Sequence, residues 1–394
     1  MPDDRHSDRS LSEWLLGDAR SVEETTVLVA ELGERLNAAG IDVRRITTGI
    51  PILHPQVASY SALWNRGSAV TERVYQLDSE TMAALSDSPI AVVYGGGGPV
   101  RCDPGAPPSD GEFPVVADLR AEGFTDYVVM PARFSDRTTK AVSFATDRSG
   151  GFAEAEIAVL ETLMPMLGMV LEIQALKRTA RILLETYVGH ETGRRVLQGA
   201  IRRGMGETIR AAIWLSDLRD FSVLSETLPR DEVIGLLNDY FGALSEAVTR
   251  HDGEILKFIG DAMLAIFPVA SDGIATATCR AALAAAAESE ALAAAINRGR
   301  SAAGRVTFRF GIALHVGDVM YGNIGGATRL DFTVIGPAVN LASRISGVCA
   351  TLGRTVLVSE EFTAAAGGTF EHVGTFDLKG IAQAQPVYLP PPSG

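Results

Sequence analysis

Cysteine is scarce in this 394-residue chain: Cys102, Cys279 and Cys349 lie far apart, with no CxxC pairing. That argues against a disulfide framework or a zinc knuckle and for a reducing compartment. The opening residues, MPDDRHSDRS, are polar and acidic and hold no secretory apolar run. Long apolar stretches are missing elsewhere too. The most apolar one, 160–171, is interrupted by Glu161, Thr162 and Pro165, well short of the ~20 residues that cross a bilayer. Positive charge is in deficit: 35 Lys plus Arg face 48 Asp plus Glu, for a formal charge of −13, which disfavours attraction to nucleic-acid phosphates or anionic lipid. The 6 histidines are scattered, with no pair at metal or haem spacing. Together these absences predict a cytoplasmic protein with no membrane span and no nucleic-acid partner.

What is present is an ordinary globular balance, 46% hydrophobic and 21% charged with 40 Gly and 18 Pro. At ~150 residues per domain the chain holds two to three domains. Residues 1–24 read as a polar extension leading into a helix. Between about 25 and 175, a helical run at 27–36 and short apolar runs at 90–94, 126–130 and 140–145 read as a compact α+β domain. Gly95-Gly96-Gly97-Gly98-Pro99 lacks the GK[ST] ending of a phosphate-binding loop, so a flexible turn is the better reading. Residues 101–112, rich in Pro, Gly and Asp, read as a loop.

From 152 to 187 one apolar face recurs at Ile157, Leu160, Met164, Leu167, Leu171, Leu176, Leu183 and Tyr187, the pattern of a long helix that Pro165 should kink. This helix is either a cap on its own domain or one strand of a two-chain coiled coil. The basic, glycine-punctuated run HETGRRVLQGAIRRGMGE then makes 176–205 a helical linker.

The second domain, 206–390, opens on a buried strand, AAIWL, that ends at Asp217. Pro229 starts an amphipathic helix carrying Leu236, Tyr240, Leu244 and Val248, and Gly253 ends it. Two apolar runs, 255–259 and 263–267, joined by Gly260-Asp261-Ala262, form a tight hairpin with Asp261 at its tip. Carboxylates at neighbouring strand ends suit hard divalent cations, although aspartates in turns are also commonplace. An Ala-rich helix (274–297), a strand at 308–314 and a hairpin partner at 316–324 follow. Next, TVIGPAVNLASR reads as a strand, a Gly-Pro helix start and a helix with Asn340 and Arg344 four residues apart on one face. An amide and a guanidinium there can hold a ribose and a phosphate gaining charge.

The strings WLSDLRDFS, ILKFIGDAMLAIF, FRFGIALHVGDVMYGNIG, LDFTVIGPAVNLASRI and FDLKG, in that order, resemble the catalytic domain of class III adenylate/guanylate cyclases, which has a ferredoxin-like or palm-like fold. The resemblance implies two ions, Mg²⁺ or Mn²⁺, held by Asp217 and Asp261 with the backbone of Leu218. It implies that Asn340 orients the ribose and that Arg344 stabilises the transition state. Lys257 and Thr333 would choose the base and favour ATP, and Lys379 and Arg309 would contact the pyrophosphate. Sites in this family are shared between subunits, so a homodimer is expected. The N-terminal half resembles a GAF-type sensor in GFTDYVVMPARF, KAVSFATD and SGGFAEAEIAVLETLMPML, implying regulation by a small molecule or protein. The expected activity is that of an adenylate cyclase, a phosphorus-oxygen lyase; the alternatives are a guanylate cyclase or a non-catalytic cyclase-like nucleotide-binding sensor.

Overall fold

The computed structural model describes residues 4–51, 57–76, 85–199, 204, 206–270, 274–326 and 329–391. The chain divides into two compact units, Met1–Leu183 and Leu184–Gly394. Part of the predicted linker, 200–203 and 205, lies outside the described residues.

The first unit begins with α1 (Asp4–Leu16), a 3₁₀ turn (Asp18–Ser21) and α2 (Thr25–Ala38). Leu11, Trp14, Leu15 and Ala19 are buried with Leu28, Leu32 and Leu36, so the segment read as a polar extension supplies part of the core. Strands β1 (Arg45–Pro51), β2 (Val57–Asn65) and β3 (Thr71–Gln76) follow. The run at 90–94 is helical rather than extended: in α3 (Pro89–Tyr94) Ser88 caps the helix by accepting from the Ala91 amide, and Pro89 sits in its first turn. After β4 (Val100–Cys102) and α4 (Pro114–Ala121) come β5 (Asp126–Arg133), β6 (Thr139–Thr146) and the 35-residue α5 (Glu154–Val188), which remains one helix through Pro165.

The sheet of this unit runs β3-β2-β1-β6-β5-β4, with antiparallel pairs throughout. Successive residues of a strand face opposite sides. Val128 and Met130 therefore enter the core shared with α2 and α5, whereas Tyr127 and Val129 join Val93 of α3 on the other side.

The second unit contains α6 (His190–Leu197), β7 (Gly206–Leu218), α7 (Phe221–Thr227), α8 (Arg230–Arg250), β8 (Glu254–Ile259), β9 (Ala262–Pro268) and α9 (Ala275–Ala302). Then come β10 (Phe310–Gly325), β11 (Leu330–Ile335), α10 (Pro337–Leu352), β12 (Val356–Ser359), α11 (Glu360–Ala366), β13 (Glu371–Phe376) and β14 (Gln385–Leu389). Its sheet runs β13-β14-β12-β10-β7-β9-β8, with β11 paired to β10.

The two strands expected at 308–324 are one 16-residue strand, because β10 pairs without a break along all of β7, from Phe310 opposite Leu218 to Gly322 opposite Gly206. Its hairpin partner is β11. On one face Trp214, Met263 and Phe267 pack beneath α8 and the alanines of α9, whose small side chains allow close approach. On the other, Ile213, Leu264 and Ile266 meet Ala338 and Ala342 of α10.

Candidate active site

Asp217 lies near the end of β7, opposite Gly311 of β10 and Ala262 of β9. That register sets it beside Asp261, which occupies the two-residue turn between β8 and β9. Gly260 there has φ 64°, a left-handed conformation that a side chain would resist. Burial raises the Asp217 pKa, against the opposing effects of Ser346 and Arg219, and Asp261 raises it further. Ser346 Oγ donates to Asp217 Oδ2 at 2.8 Å, and Arg219 Nη1 donates to Oδ1 at 3.0 Å. Asp261 makes no hydrogen bond or ion pair among the described residues.

Arg219 is held by packing as much as by charge. A Cβ built on Gly311 would lie 1.7 Å from its Nη2, so glycine at 311 leaves the space the guanidinium fills. That Nη2 is buried without a hydrogen-bond partner.

A cavity of about 480 Å³ opens here, lined by Asp217, Leu218, Asp220, Arg309 and Arg354 among others. Asp220, in a left-handed backbone conformation with φ 58°, pairs with Arg309 at 2.8 Å. Among the described residues no three His, Cys, Asp or Glu side chains gather as a metal site. Two carboxylates nevertheless fit a hard divalent cation, since Mg²⁺ is commonly held by one or two carboxylates completed by substrate phosphate and water oxygens.

Lys257 and Thr333, expected from the sequence to choose the base, lie on strands β8 and β11. Lys257 Nζ lies 3.3 Å from Asp331 Oδ2. Thr333, opposite Gly322 in the β10–β11 register, is only 5% exposed, and its Oγ1 has no partner. A buried hydroxyl without a partner is costly and is suited to a ligand that supplies one.

Asn340 and Arg344 both stand exposed on α10, beyond the Gly336-Pro337 start of that helix. Lys379 is exposed in the turn after β13. Neither Arg344 nor Lys379 is paired among the described residues. None of Lys257, Thr333, Asn340, Arg344 and Lys379 lines the cavity at Asp217, whereas Leu218 and Arg309 do. One chain thus sets Asp217, Leu218 and Arg309 around one cavity and leaves Lys257, Thr333, Asn340, Arg344 and Lys379 outside it.

Sequence reasoning missed Arg219, Ser346, Arg354 and Asp331. Ser346 follows Arg344 by two residues, and its role depends on α10 packing over the end of β7. Gly311, inside FRFGIAL, was the one visible trace of the room made for Arg219.

Residues 205–389 match the family described as the adenylate and guanylate cyclase catalytic domain. Adenylate cyclase 1 of Rhizobium meliloti (strain 1021) is 36% identical over 177 residues, 44% of this chain and 26% of that protein. The adenylate cyclase of Anabaena cylindrica is 34% identical over 165 residues, 41% of this chain and 31% of that one. The chain thus spans between a quarter and a third of the length of these relatives. The crystal structure of the guanylyl cyclase Cya2 is 30% identical, with 46% of this chain and 92% of that one covered at a TM-score of 0.41. Asp217, Asp261, Asn340 and Arg344 all lie in the matched segment, so the likeness to the adenylate and guanylate cyclase catalytic domain falls within the C-terminal unit of this chain.

Proposed function

We propose that the protein is an adenylate cyclase, converting ATP to 3′,5′-cyclic AMP and pyrophosphate at sites shared by two copies of the chain. The observation that carries this reading is the pair Asp217 and Asp261 at adjoining strand ends, beside a cavity walled by Arg309 and Arg354. In the reaction the ribose 3′ oxygen loses its proton and bonds to the α-phosphorus. The bond from that phosphorus to the oxygen bridging to the β-phosphate breaks, and pyrophosphate leaves.

Asp217, Asp261 and the backbone of Leu218 would hold two divalent ions, Mg²⁺ or Mn²⁺, which supply Lewis acidity toward phosphate oxygens and acidify the 3′-hydroxyl. Ser346 and Arg219 fix the Asp217 carboxylate in place, so the acidic end is ordered before nucleotide arrives. Arg309 and Arg354 offer positive charge to the triphosphate. Asn340 of the other copy orients the ribose, and its Arg344 meets the charge that grows at the α-phosphate. Lys379 would add a further contact to the pyrophosphate. Lys257, steadied by Asp331, and Thr333, with its buried hydroxyl free, read the base. Lysine with threonine at these two positions favours adenine.

The first unit acts, on this reading, as a GAF-like regulatory module, with a small molecule or protein shifting the balance between two arrangements of the dimer. Among the described residues no helix is long and apolar enough to cross a membrane.

The test is product analysis by chromatography after incubation with ATP or GTP, each with Mg²⁺ or Mn²⁺, beside Asp261→Asn. Cyclic AMP made by the parent and missing from the variant is the expected result. Cyclic GMP as the main product overturns the reading of Lys257 and Thr333, and turnover by Asp261→Asn at the parent rate overturns the metal assignment.

A further inference from the structure

The two carboxylates at the end of β7 and in the β8–β9 turn are in different states. Asp261 makes no hydrogen bond or ion pair among the described residues. Asp217 is engaged at both oxygens, Oδ2 by the Ser346 hydroxyl at 2.8 Å and Oδ1 by Arg219 Nη1 at 3.0 Å. The serine is neutral and only orients. The guanidinium brings a full positive charge that it does not lose at any ordinary pH, and it sits on an oxygen that an incoming ion would use.

Arg219 is not placed to swing away. An arginine at an exposed ion pair breaks off at little cost, but this side chain is 13% exposed. Its amide donates to the Arg309 carbonyl at 2.8 Å, and its Nη2 fills the space where residue 311 has no Cβ. Among the described residues Asp217 is the one carboxylate it pairs with. Asp220, the next residue along, pairs with Arg309 instead at 2.8 Å. The niche thus keeps the charge beside Asp217 whether or not anything else binds there.

We propose that Arg219 is a built-in counter-cation for Asp217, one that orders the carboxylate in the metal-free chain and stays to oppose the divalent ions that come to it. Like charges a few ångströms apart in a part-buried site repel far more than in bulk water. The inference rests on the reading of Asp217 and Asp261 as metal ligands and goes beyond it. Metal alone binds weakly, and the negative charge that offsets the arginine arrives with the triphosphate, so ion and nucleotide each raise the other's affinity.

The test reads metal alone, with no nucleotide: Mn²⁺ binding to the full chain, followed by loss of the free-ion signal in electron paramagnetic resonance. Arg219→Gln removes the charge and is expected to tighten binding about 10-fold or more. Arg219→Met, closer in length, should do the same and covers the case that the glutamine variant folds poorly. Arg219→Lys keeps the charge and should bind as the parent does. An arginine with a purely structural role would give the opposite sign, since its loss would free Asp217 and weaken binding. Adding Asp261→Asn to Arg219→Gln should abolish the gain, which ties it to this site and not to the surface of a chain of formal charge −13. Turnover is not the readout, because the neutral variants also loosen the carboxylate. Mn²⁺ binding by the glutamine and methionine variants no tighter than by the parent overturns the proposal, as do equal tightening by Arg219→Lys and a gain that survives Asp261→Asn. Asp261→Asn in the parent separates the two readings: if it weakens Mn²⁺ binding while the Arg219 variants change nothing, the metal assignment stands and the role of the arginine falls.

Discussion

Two ends of the catalytic unit differ in how finished they are. At the end of β7, Asp217 is already held by Ser346 and Arg219 of its own chain, next to Asp261. On α10, Asn340 and Arg344 stand exposed, four residues apart and aimed away from the core formed by Ala338, Ala342 and Ile345. On the proposed reading, carboxylates ordered within one chain and an amide with a guanidinium displayed to solvent are complementary, and a two-fold axis bringing each against the other's counterpart would make two equal sites from one sequence.

The strongest way to break this comparison is to disable one half in each chain. Asp261→Asn alone should lower turnover by on the order of 10³-fold, with an unchanged melting temperature, since the residue lies in a surface turn. Arg344→Ala alone should do likewise. Coexpressed in equal amounts, the two variants should recover about a quarter of the parent activity, because half of the dimers are mixed and each mixed dimer keeps one intact site of two. Verified mixed dimers with no recovery would mean that each chain carries its own whole site.

A second test bears on the acidic half alone. Gly311→Ala places a methyl where the Arg219 guanidinium lies, and either the arginine or the strand must yield. Overpacking of this kind costs about 1–3 kcal/mol. Asp217 should lose its Arg219 hydrogen bond, and turnover should fall roughly 10-fold, while binding of a fluorescent ATP analogue through the α10 side falls much less. Equal losses in both would show that the two halves are not separable.

The halves were also unequally legible. Asp217, Asp261, Asn340 and Arg344 could be read from sequence because each sits at a local signal, a strand end, a Gly-Asp turn or a Gly-Pro helix start. Ser346 and Asp331 could not, because each meets its partner from dozens of positions away: Ser346 reaches Asp217 only through the packing of α10. Arg219 lies two residues from Asp217, but the room its guanidinium fills is made by Gly311 across the sheet. The run at 90–94 misled because five apolar residues suit a strand as well as a helix, and Ser88 with Pro89 decided the matter through capping. The break expected within 308–324 had a Gly-Asp pair to suggest it, but continuous pairing with β7 outweighed that local preference.

A pH series examines the strand shared by both halves. His315, on β10, is buried with Nδ1 2.8 Å from Ser359 Oγ and 3.6 Å from Glu361 Oε2. Burial lowers its pKa to about 4, with Glu361 opposing and Arg210 reinforcing the shift. Between that value and the usual 6.5 the unfolded chain binds a proton that the folded chain does not. Stability is therefore full above about pH 6.5 and falls as pH drops toward 4, by about 1.4 kcal/mol per unit within the window. Urea unfolding of the second unit's transition should show this slope, and His315→Gln should flatten it. An unchanged slope would mean that His315 takes up its proton equally in the folded and unfolded chain and is not the source of the pH dependence.

The smallest effect expected is on the choice of base. Lys257 is tied at 3.3 Å to Asp331, whose side chain is 60% exposed, while Thr333 Oγ1 waits unpartnered two residues further along the same strand. An exposed ion pair contributes little to stability, so Asp331→Asn should leave the melting temperature unmoved. It does, however, remove the group that steadies a flexible lysine. KM for ATP should rise about 3- to 10-fold, equivalent to roughly 0.7–1.4 kcal/mol, with kcat unchanged and KM for GTP changed far less, narrowing the preference between the two. A parallel rise for both nucleotides would make Asp331 a contributor to the phosphate field and not to base reading. The adenine preference would then rest on Thr333 alone, and Thr333→Val, which removes the hydroxyl at nearly constant shape, becomes the variant that decides it.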